Sequence, residues 1–266
     1  MPNTTDVQPS LLHSLRLSVR WRLKRFLQHL RVAYLSRKNP VVCIEGVNIP
    51  LTKYISDNVR EAMFDGGYES AELRTIADNL SGDDLVLEIG TGIGLISTFC
   101  AKRIGSDRVY TFEANPELEP YIRDVYDKNS VSPNLEICVL GENEGEATFY
   151  VHDDFWSSSV YQRSPQARKV TVTRRSLNDT INRIQPTFLI MDIEGGEYDI
   201  FKHINLEGFN KIAVELHTEV LGKDRIDEIL SQLAEQGFAI DWRYSDSTPG
   251  FKEELFLSRA LSQPSV

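Results

Sequence analysis

A few charged residues stand where apolar runs end, and their types define the available chemistry. Glu88 follows LVL (85–87) and precedes Gly90, Gly92 and Gly94, which alternate with Thr91 and Ile93. Glu113 ends RVYTF (108–112), 23 residues after Gly90. Asp192 and Glu194 follow TFLIM (187–191), and His217 follows KIAVEL (211–216). An apolar run, a glycine-rich turn and an amphipathic stretch spell strand, turn and helix, the ligand-binding corner of a doubly wound sheet. Glycine serves there because the turn is tight, takes positive φ and lets a ligand lie against bare backbone. A dinucleotide would set its pyrophosphate on the helix N-terminus, and an acid at the strand tip opposes that. Leu95 also fills the last place of a Gly90-x-Gly-x-x-Gly pattern, which disfavours a nicotinamide oxidoreductase. Glu88 instead suits a phosphate-free cation with an amino-acid head, S-adenosylmethionine. Glu113 then offers two oxygens to both ribose hydroxyls.

Methyl transfer is an in-line displacement, so alignment of acceptor, methyl carbon and sulfur supplies much of the rate. A hydroxyl acceptor also needs a base. Asp192 and His217 are the candidates, His217 having the side chain that titrates nearest neutrality. Asp192, Glu194, Glu197, Glu215 and His217 all follow strand ends on the rim that carries the glycine turn. By ligand type Asp192, Glu194, Glu215 and His217 suit a divalent cation. A D-x-E turn is equally explained as an acid-favouring helix N-terminus, and no metal is expected.

The elements that position these groups follow from pattern. Apolar runs at 85–87, 108–112, 135–140, 187–191 and 211–216 read as core strands of a mostly parallel sheet. Helices are expected from Ile93 to about residue 104, from Pro116 to about 128, over 177–184, from Glu197 to about 204, and over 224–235, where Gly237 stops the last. Strands at 238–242 and 254–258 form an antiparallel edge. Alternation at 147–151 and 169–173, around Asp153 to Ser159 with Trp156 between, reads as a hairpin inserted over the strand tips. Its serines, 157–159, read as a polar loop or an acceptor-pocket wall. Before the core, 41–51 reads as a small hairpin about Glu45-Gly46, and helices over 57–64 and 70–80 are expected with N-caps at Asp57 and Ser70. The units are then 1–40, a cap at 41–80, and the main domain at 81–266 with its insertion at about 145–175.

Charge is segregated. Residues 7–44 hold eight Lys or Arg and no acid, whereas residues 45–266 hold 21 basic against 38 acidic residues. An acidic body argues against nucleic acid as a partner. Three scattered cysteines without a CxxC pair fit buried thiols in a reducing, cytoplasmic setting and neither a disulfide frame nor a zinc site. No apolar run nears the roughly 18 residues of a membrane span. After a disordered start at 1–10, Leu12, Leu15, Val19, Leu23, Phe26, Leu30 and Tyr34 recur at helical spacing among arginines and lysines, with Trp21 on the same stretch. This basic amphipathic helix at 11–35 reads three ways: apolar stripe packed on the acidic body, peripheral arm on an anionic membrane, or transit sequence. Oligomeric state is not legible.

Taken together, GYE (67–69), VLEIGTGIGLIS (86–97), TFEANP (111–116), LGENEGEATFYV (140–151), the serines at 157–159, FLIMDIEGGEYDIF (188–201) and VELH (214–217) make the chain resemble the FkbM family of S-adenosylmethionine-dependent methyltransferases over about 41–258. The resemblance implies a Rossmann-like class I methyltransferase fold, with a mostly parallel twisted sheet, an antiparallel edge strand and a β-hairpin insertion. It implies that Glu88, Gly90 and Gly92 meet the methionine part of the cofactor, with Gly94 completing the turn, and that Glu113 meets the ribose. Glu69, Asp192 and Glu194 would lie beside the methyl group. Where many members carry D-x-G-A-N-x-G, this chain has Gly92 in place of the asparagine, so the contact to the cofactor carboxylate must come from elsewhere. The expected activity is O-methylation of a small-molecule or glycan hydroxyl. N-methylation of a protein or peptide is the alternative, and a cofactor-binding module without catalysis the third reading.

Overall fold

The computed structural model describes residues 26–152 and 158–259. The upstream part of the basic helix, with Trp21, and the loop residues 153–157, with Trp156, lie outside the described residues. Helix α1 spans 26–38. A two-stranded hairpin, β1 (Val41–Ile44) and β2 (Val47–Pro50), turns at Glu45-Gly46, and helices α2 (Asp57–Phe64) and α3 (Ser70–Asn79) follow.

The central sheet carries β3 (Val86–Ile89), β4 (Val109–Glu113), β5 (Asn134–Ile137), β9 (Phe188–Met191), β10 (Lys211–Leu216), β11 (Phe238–Ile240) and β13 (Lys252–Arg259), in the order β11-β13-β10-β9-β3-β4-β5, with β12 (Asp246–Thr248) on β13. From β10 to β5 all neighbours run parallel. Alternation assigns the two faces. Leu87, Ile89, Leu189 and Met191 pack on one side with Phe201 of α7 (Glu197–His203), Ile181 of α6 (Leu177–Ile184) and Leu233 of α9 (Lys223–Glu235). Val86, Phe188 and Ile190 pack on the other with Phe99 of α4 (Leu95–Ile104) and Tyr121 and Val125 of α5 (Glu119–Asn129). Residues 41–80 belong to that second layer: Val47, Ile49, Val59, Leu73 and Ile76 are buried in the same cluster. The Tyr121 hydroxyl donates to the Pro50 carbonyl at 2.7 Å, and Asn129 exchanges hydrogen bonds with the Asn48 backbone at 2.8 and 2.9 Å.

Register brings the chemistry to one rim. Glu88 pairs level with Thr111 on β4 and Ile190 on β9, and Val214 with Met191. Glu113, Asp192 and His217 therefore leave their strands side by side.

Several local expectations change. The run at 135–140 is two strands: β5 stays in the main sheet, the chain bends at Cys138, whose N–H bonds the Glu113 carbonyl at 2.9 Å, and β6 (Val139–Gly141) joins a second sheet. That sheet, β6-β8-β7, holds the expected insertion hairpin, β7 (Gly145–Val151) and β8 (Arg168–Ser176). Only β13 runs against the parallel set, and it lies one place in from the edge strand β11. The cap of α2 is Ser56, whose hydroxyl accepts from Val59 N–H, because Asp57 is already helical. Glu69, not Ser70, stands at the start of α3, in a left-handed conformation. Helix α5 begins beyond Pro116, with Pro120 in its first turn. A short helix, α8 (Thr218–Leu221), follows His217 without a sequence signal. Cys43 on β1 is exposed, against the expectation of buried thiols, while Cys100 and Cys138 are buried. Finally, over the described part of the basic helix, α1 leaves Phe26, Leu30 and Tyr34 exposed, against the expectation that this part of the stripe packs on the acidic domain.

One glycine fixes the corner. A Cβ on Gly90 (φ +96) would lie 1.9 Å from the Asp192 carbonyl oxygen, so the tips of β3 and β9 meet backbone to backbone. Gly90→Ala is expected to cost about 3 kcal/mol or more, since strain and backbone overlap add. Gly237→Ala, also at positive φ but with open space around it, should cost only about 1 kcal/mol. Urea unfolding of both variants makes the comparison.

Candidate active site

Backbone bonds clamp the glycine turn between two strands. Gly90 and Thr91 N–H both donate to the Phe112 carbonyl, at 2.9 and 3.3 Å, while Asp192 N–H donates to Ile89 at 3.2 Å. Glu113 serves the same turn: Gly92 N–H donates to its Oε2 at 2.8 Å and Asn115 N–H to its Oε1 at 2.7 Å. Each oxygen retains a lone pair for a further donor. Burial pushes the Glu113 carboxyl up to about 7 against these amides. Glu88 is buried deeper, accepts from the Thr111 hydroxyl, and is pushed up by burial to about 8 despite Thr111 and Ser97. A cation would reverse that shift by favouring the ionised form.

A cavity of about 410 Å³ opens on this turn, walled by Tyr68, Glu69, Glu72, Glu88, Gly90, Gly92, Glu113, Asp192 and Glu194. Gly94 is not in its wall. At φ +80 it starts α4, and a Cβ there would press on Ile122 and Tyr126 at 3.1 and 3.2 Å, so its role is helix packing. Gly92, Gly90, Glu113, Glu88, Glu69 and Asp192 come together as the sequence expects. A second cavity of about 550 Å³ shares Tyr68, Glu69, Glu72, Asp192 and Glu194 with the first and extends to Glu215, Tyr244, Lys252 and Glu254.

Against Asp192 and Glu194, but in the wall of neither cavity, sits an imidazole ringed by acids. His217, buried, holds Glu197 Oε1 with Nδ1 at 2.8 Å. Its Nε2 lies 3.2 Å from Glu194, 3.3 Å from Glu215 and 3.8 Å from Asp192. Burial opposes its charge, but Glu197, Glu215 and Asp192 outweigh burial and push it up to about 11. His217 is thus an imidazolium at neutral pH and unsuited to take a proton. Asp192 is pushed well up, first by burial and then by the Glu215 charge. Its Oδ1 has no exposed surface and no hydrogen-bond partner. Glu215 is held below its ordinary range because His217 and Lys252 outweigh burial.

Sequence reading missed the supports of this cluster. Glu194 adopts φ +57, and Gly195 follows at φ +108, where a Cβ would strike Val220 at 2.6 Å. The Ser159 hydroxyl donates to the Glu194 carbonyl at 2.8 Å, and Arg163 bridges Glu194 and Glu219. Glu197, wholly buried, takes Gly195 N–H as well as His217. Glu72 faces Glu69; burial and that neighbour push it well up. No periodicity marks these contacts: Ser159, Arg163, Glu194 and Gly195 lie in loops, and Glu72 and Glu197 in the first turns of α3 and α7. As for metal, Asp192, Glu194 and His217 each offer one ligand atom, all within 4.8 Å of one another. Arg163 already bonds the Glu194 oxygen that faces His217.

A mostly parallel sheet with a glycine turn at one strand tip and acids at its neighbours' tips is the Rossmann-like class of fold. Residues 88–240 match the family model described as "Methyltransferase FkbM domain", and the chain belongs to that family of S-adenosylmethionine-dependent methyltransferases. No curated protein matches the sequence. Among solved structures, the precorrin-6Y C5,15-methyltransferase of Geobacter metallireducens GS-15 is similar at 14% identity, over 73% of this chain and 89% of that one, with a TM-score of 0.42. The ribosomal protein L11 methylase of Lactobacillus delbrueckii subsp. bulgaricus gives 14%, 73%, 79% and 0.42. A methyltransferase from Pyrococcus furiosus gives 12%, 90%, 99% and 0.43. The family assignment rests on the sequence match alone.

The raised groups make stability fall with pH. The fold keeps protons on Glu88 and Glu113 up to about 8 and 7, and on His217 to about 11. Unfolded glutamate releases its proton near 4.3 and histidine near 6.5. From pH 6.5 to 8 the native state therefore binds more protons than the unfolded one, and each such group removes up to about 1.4 kcal/mol per pH unit. The thermal midpoint of the unliganded protein should drop by several degrees across that window. Glu88→Gln should flatten the slope; calorimetry in matched buffers measures it.

Proposed function

We propose that this chain moves the methyl group of S-adenosylmethionine to a hydroxyl oxygen of a small molecule or glycan. One observation carries the reading: the turn-side cavity and the larger acidic cavity share the wall made by Asp192 and Glu194. Cofactor and acceptor would meet there.

The chemistry of the donor set fits the cofactor. Glu88 is a buried acid and Asp192 a part-buried one, both with raised affinity for protons, and the Glu113 carboxylate would accept from the ribose hydroxyls. Gly90 and Gly92 let the ligand reach bare backbone. When bound, S-adenosylmethionine supplies a methyl group on a sulfonium leaving group. Asp192 accepts the proton that the acceptor hydroxyl gives up as the oxygen–carbon bond forms; burial and the Glu215 charge raise its affinity for protons, which supports that role. His217, fixed by Glu197, holds Glu194 and Glu215 in place as a cation. Carboxylates in the second cavity accept hydrogen bonds from further hydroxyls of a polyol. The same acidity supports an amine acceptor as a second reading, held as an ammonium that passes a proton to a carboxylate or to water before its lone pair attacks.

The direct test titrates the protein with S-adenosylmethionine, then follows S-adenosylhomocysteine release with panels of hydroxylated and amine-bearing acceptors. Binding without turnover on any panel leaves only the non-catalytic module, and no binding ends the reading. Asp192→Asn should lower kcat by about a hundredfold or more while cofactor Kd changes less than fivefold. Full activity in that variant places the base elsewhere.

A further inference from the structure

Helix α1 wears its apolar side outward. At about 100° per residue, Phe26, Leu30 and Tyr34 fall on one stripe with Leu27 beside it, and their exposures are 58%, 52%, 65% and 56%. The opposite side holds Val32, 2% exposed, against the body. Polar side chains dock the helix: Gln28 bonds Glu61, His29 lies 2.9 Å from Asp57, and Arg31 bonds Asp65 at 2.7 Å. This inverts the usual arrangement, in which a surface helix buries its apolar face and solvates its charges. Four large apolar side chains on three turns need a cover that the body does not supply.

We propose that this face lies on an anionic lipid surface. Charge complementarity selects that occupant. Residues 7–44 hold eight cations and no acid, and Arg37 and Lys38, both exposed, fall on the outward side beside the stripe. A second copy packed face to face would set these like charges against each other. A lipid surface meets both demands at once: acyl chains cover the apolar stripe, and headgroups pair with the cations. The acidic remainder, 21 basic against 38 acidic residues over 45–266, is repelled by the same surface, so contact stays confined to the arm. Among the described residues no helix is long and apolar enough to cross a membrane, and the arm would lie in the interface plane. The upstream sequence repeats the pattern of apolar residues and arginines.

The test uses the full chain and sedimentation with vesicles of phosphatidylcholine alone or with about one third phosphatidylglycerol. Anionic vesicles should bind at least tenfold more protein, with the difference lost in high salt. The triple change Phe26→Ser, Leu30→Ser and Tyr34→Ser should lower binding at least tenfold while leaving the thermal midpoint and cofactor titration unchanged. Each near-surface cation is worth roughly fivefold, so Arg37→Gln with Lys38→Gln should cost roughly twentyfold. Failure to bind anionic vesicles, or equal binding by the stripe variant, overturns the proposal. So does a dimer in sedimentation velocity that the stripe variant dissolves, which would give the face to a second copy. None of these outcomes depends on turnover, so the catalytic reading stands or falls separately.

Discussion

A buried carboxylate is costly unless a cation or a set of donors accompanies it, and the rim of this sheet buries more of them than it neutralises. Asp192, Glu194, Glu197 and Glu215 share His217, with Arg163 on Glu194 and Lys252 on Glu215. Glu69, Glu72, Glu88 and Glu113 have no cation in direct contact among the described residues; they are held by burial, hydroxyls and backbone amides. The result is a set of acids whose proton affinities are raised together. Such a site is poised for a positively charged ligand, because a cation placed among them lowers several raised groups at once. The same imbalance leaves Asp192 Oδ1 buried without a hydrogen-bond partner, 3.8 Å from His217 Nε2.

Much of this was legible in the chain because strand-tip chemistry is local. Glu88, Gly90, Gly92, Glu113 and Asp192 are each fixed by the end of an apolar run, and a parallel sheet aligns such ends without further information. Gly94 shows the limit of that logic. A third glycine in alternation looks like more ligand contact, yet its neighbours are Ile122 and Tyr126 of α5, a packing contact that no spacing encodes. His217 shows another. Its solution titration suggests a base, but Glu197, twenty positions upstream on another element, turns it into a fixed cation. The bend at Cys138 hid in an apolar run for the same reason: both halves suit a strand, and only tertiary pairing divides them.

The insertion is tied to the cluster by bonds that the hairpin pattern alone does not foretell. Tyr150 and Ser159 exchange backbone bonds at 2.9 and 3.1 Å, which closes the loop back onto β7. Ser159 then reaches the Glu194 carbonyl, and Arg163, four residues on, reaches the Glu194 carboxylate. Glu194 needs that support. Its left-handed backbone costs about 1–2 kcal/mol, and Gly195 beside it has no room for a side chain against Val220. One segment therefore grips both ends of the residue that faces His217 and walls both cavities. The loop over the strand tips is the part of this fold freest to vary in length and composition, yet here it is bonded to the innermost acids. Changes in it can reach the cluster through Glu194, so the wall shared by the two cavities and the charge balance around His217 rest on the same few contacts.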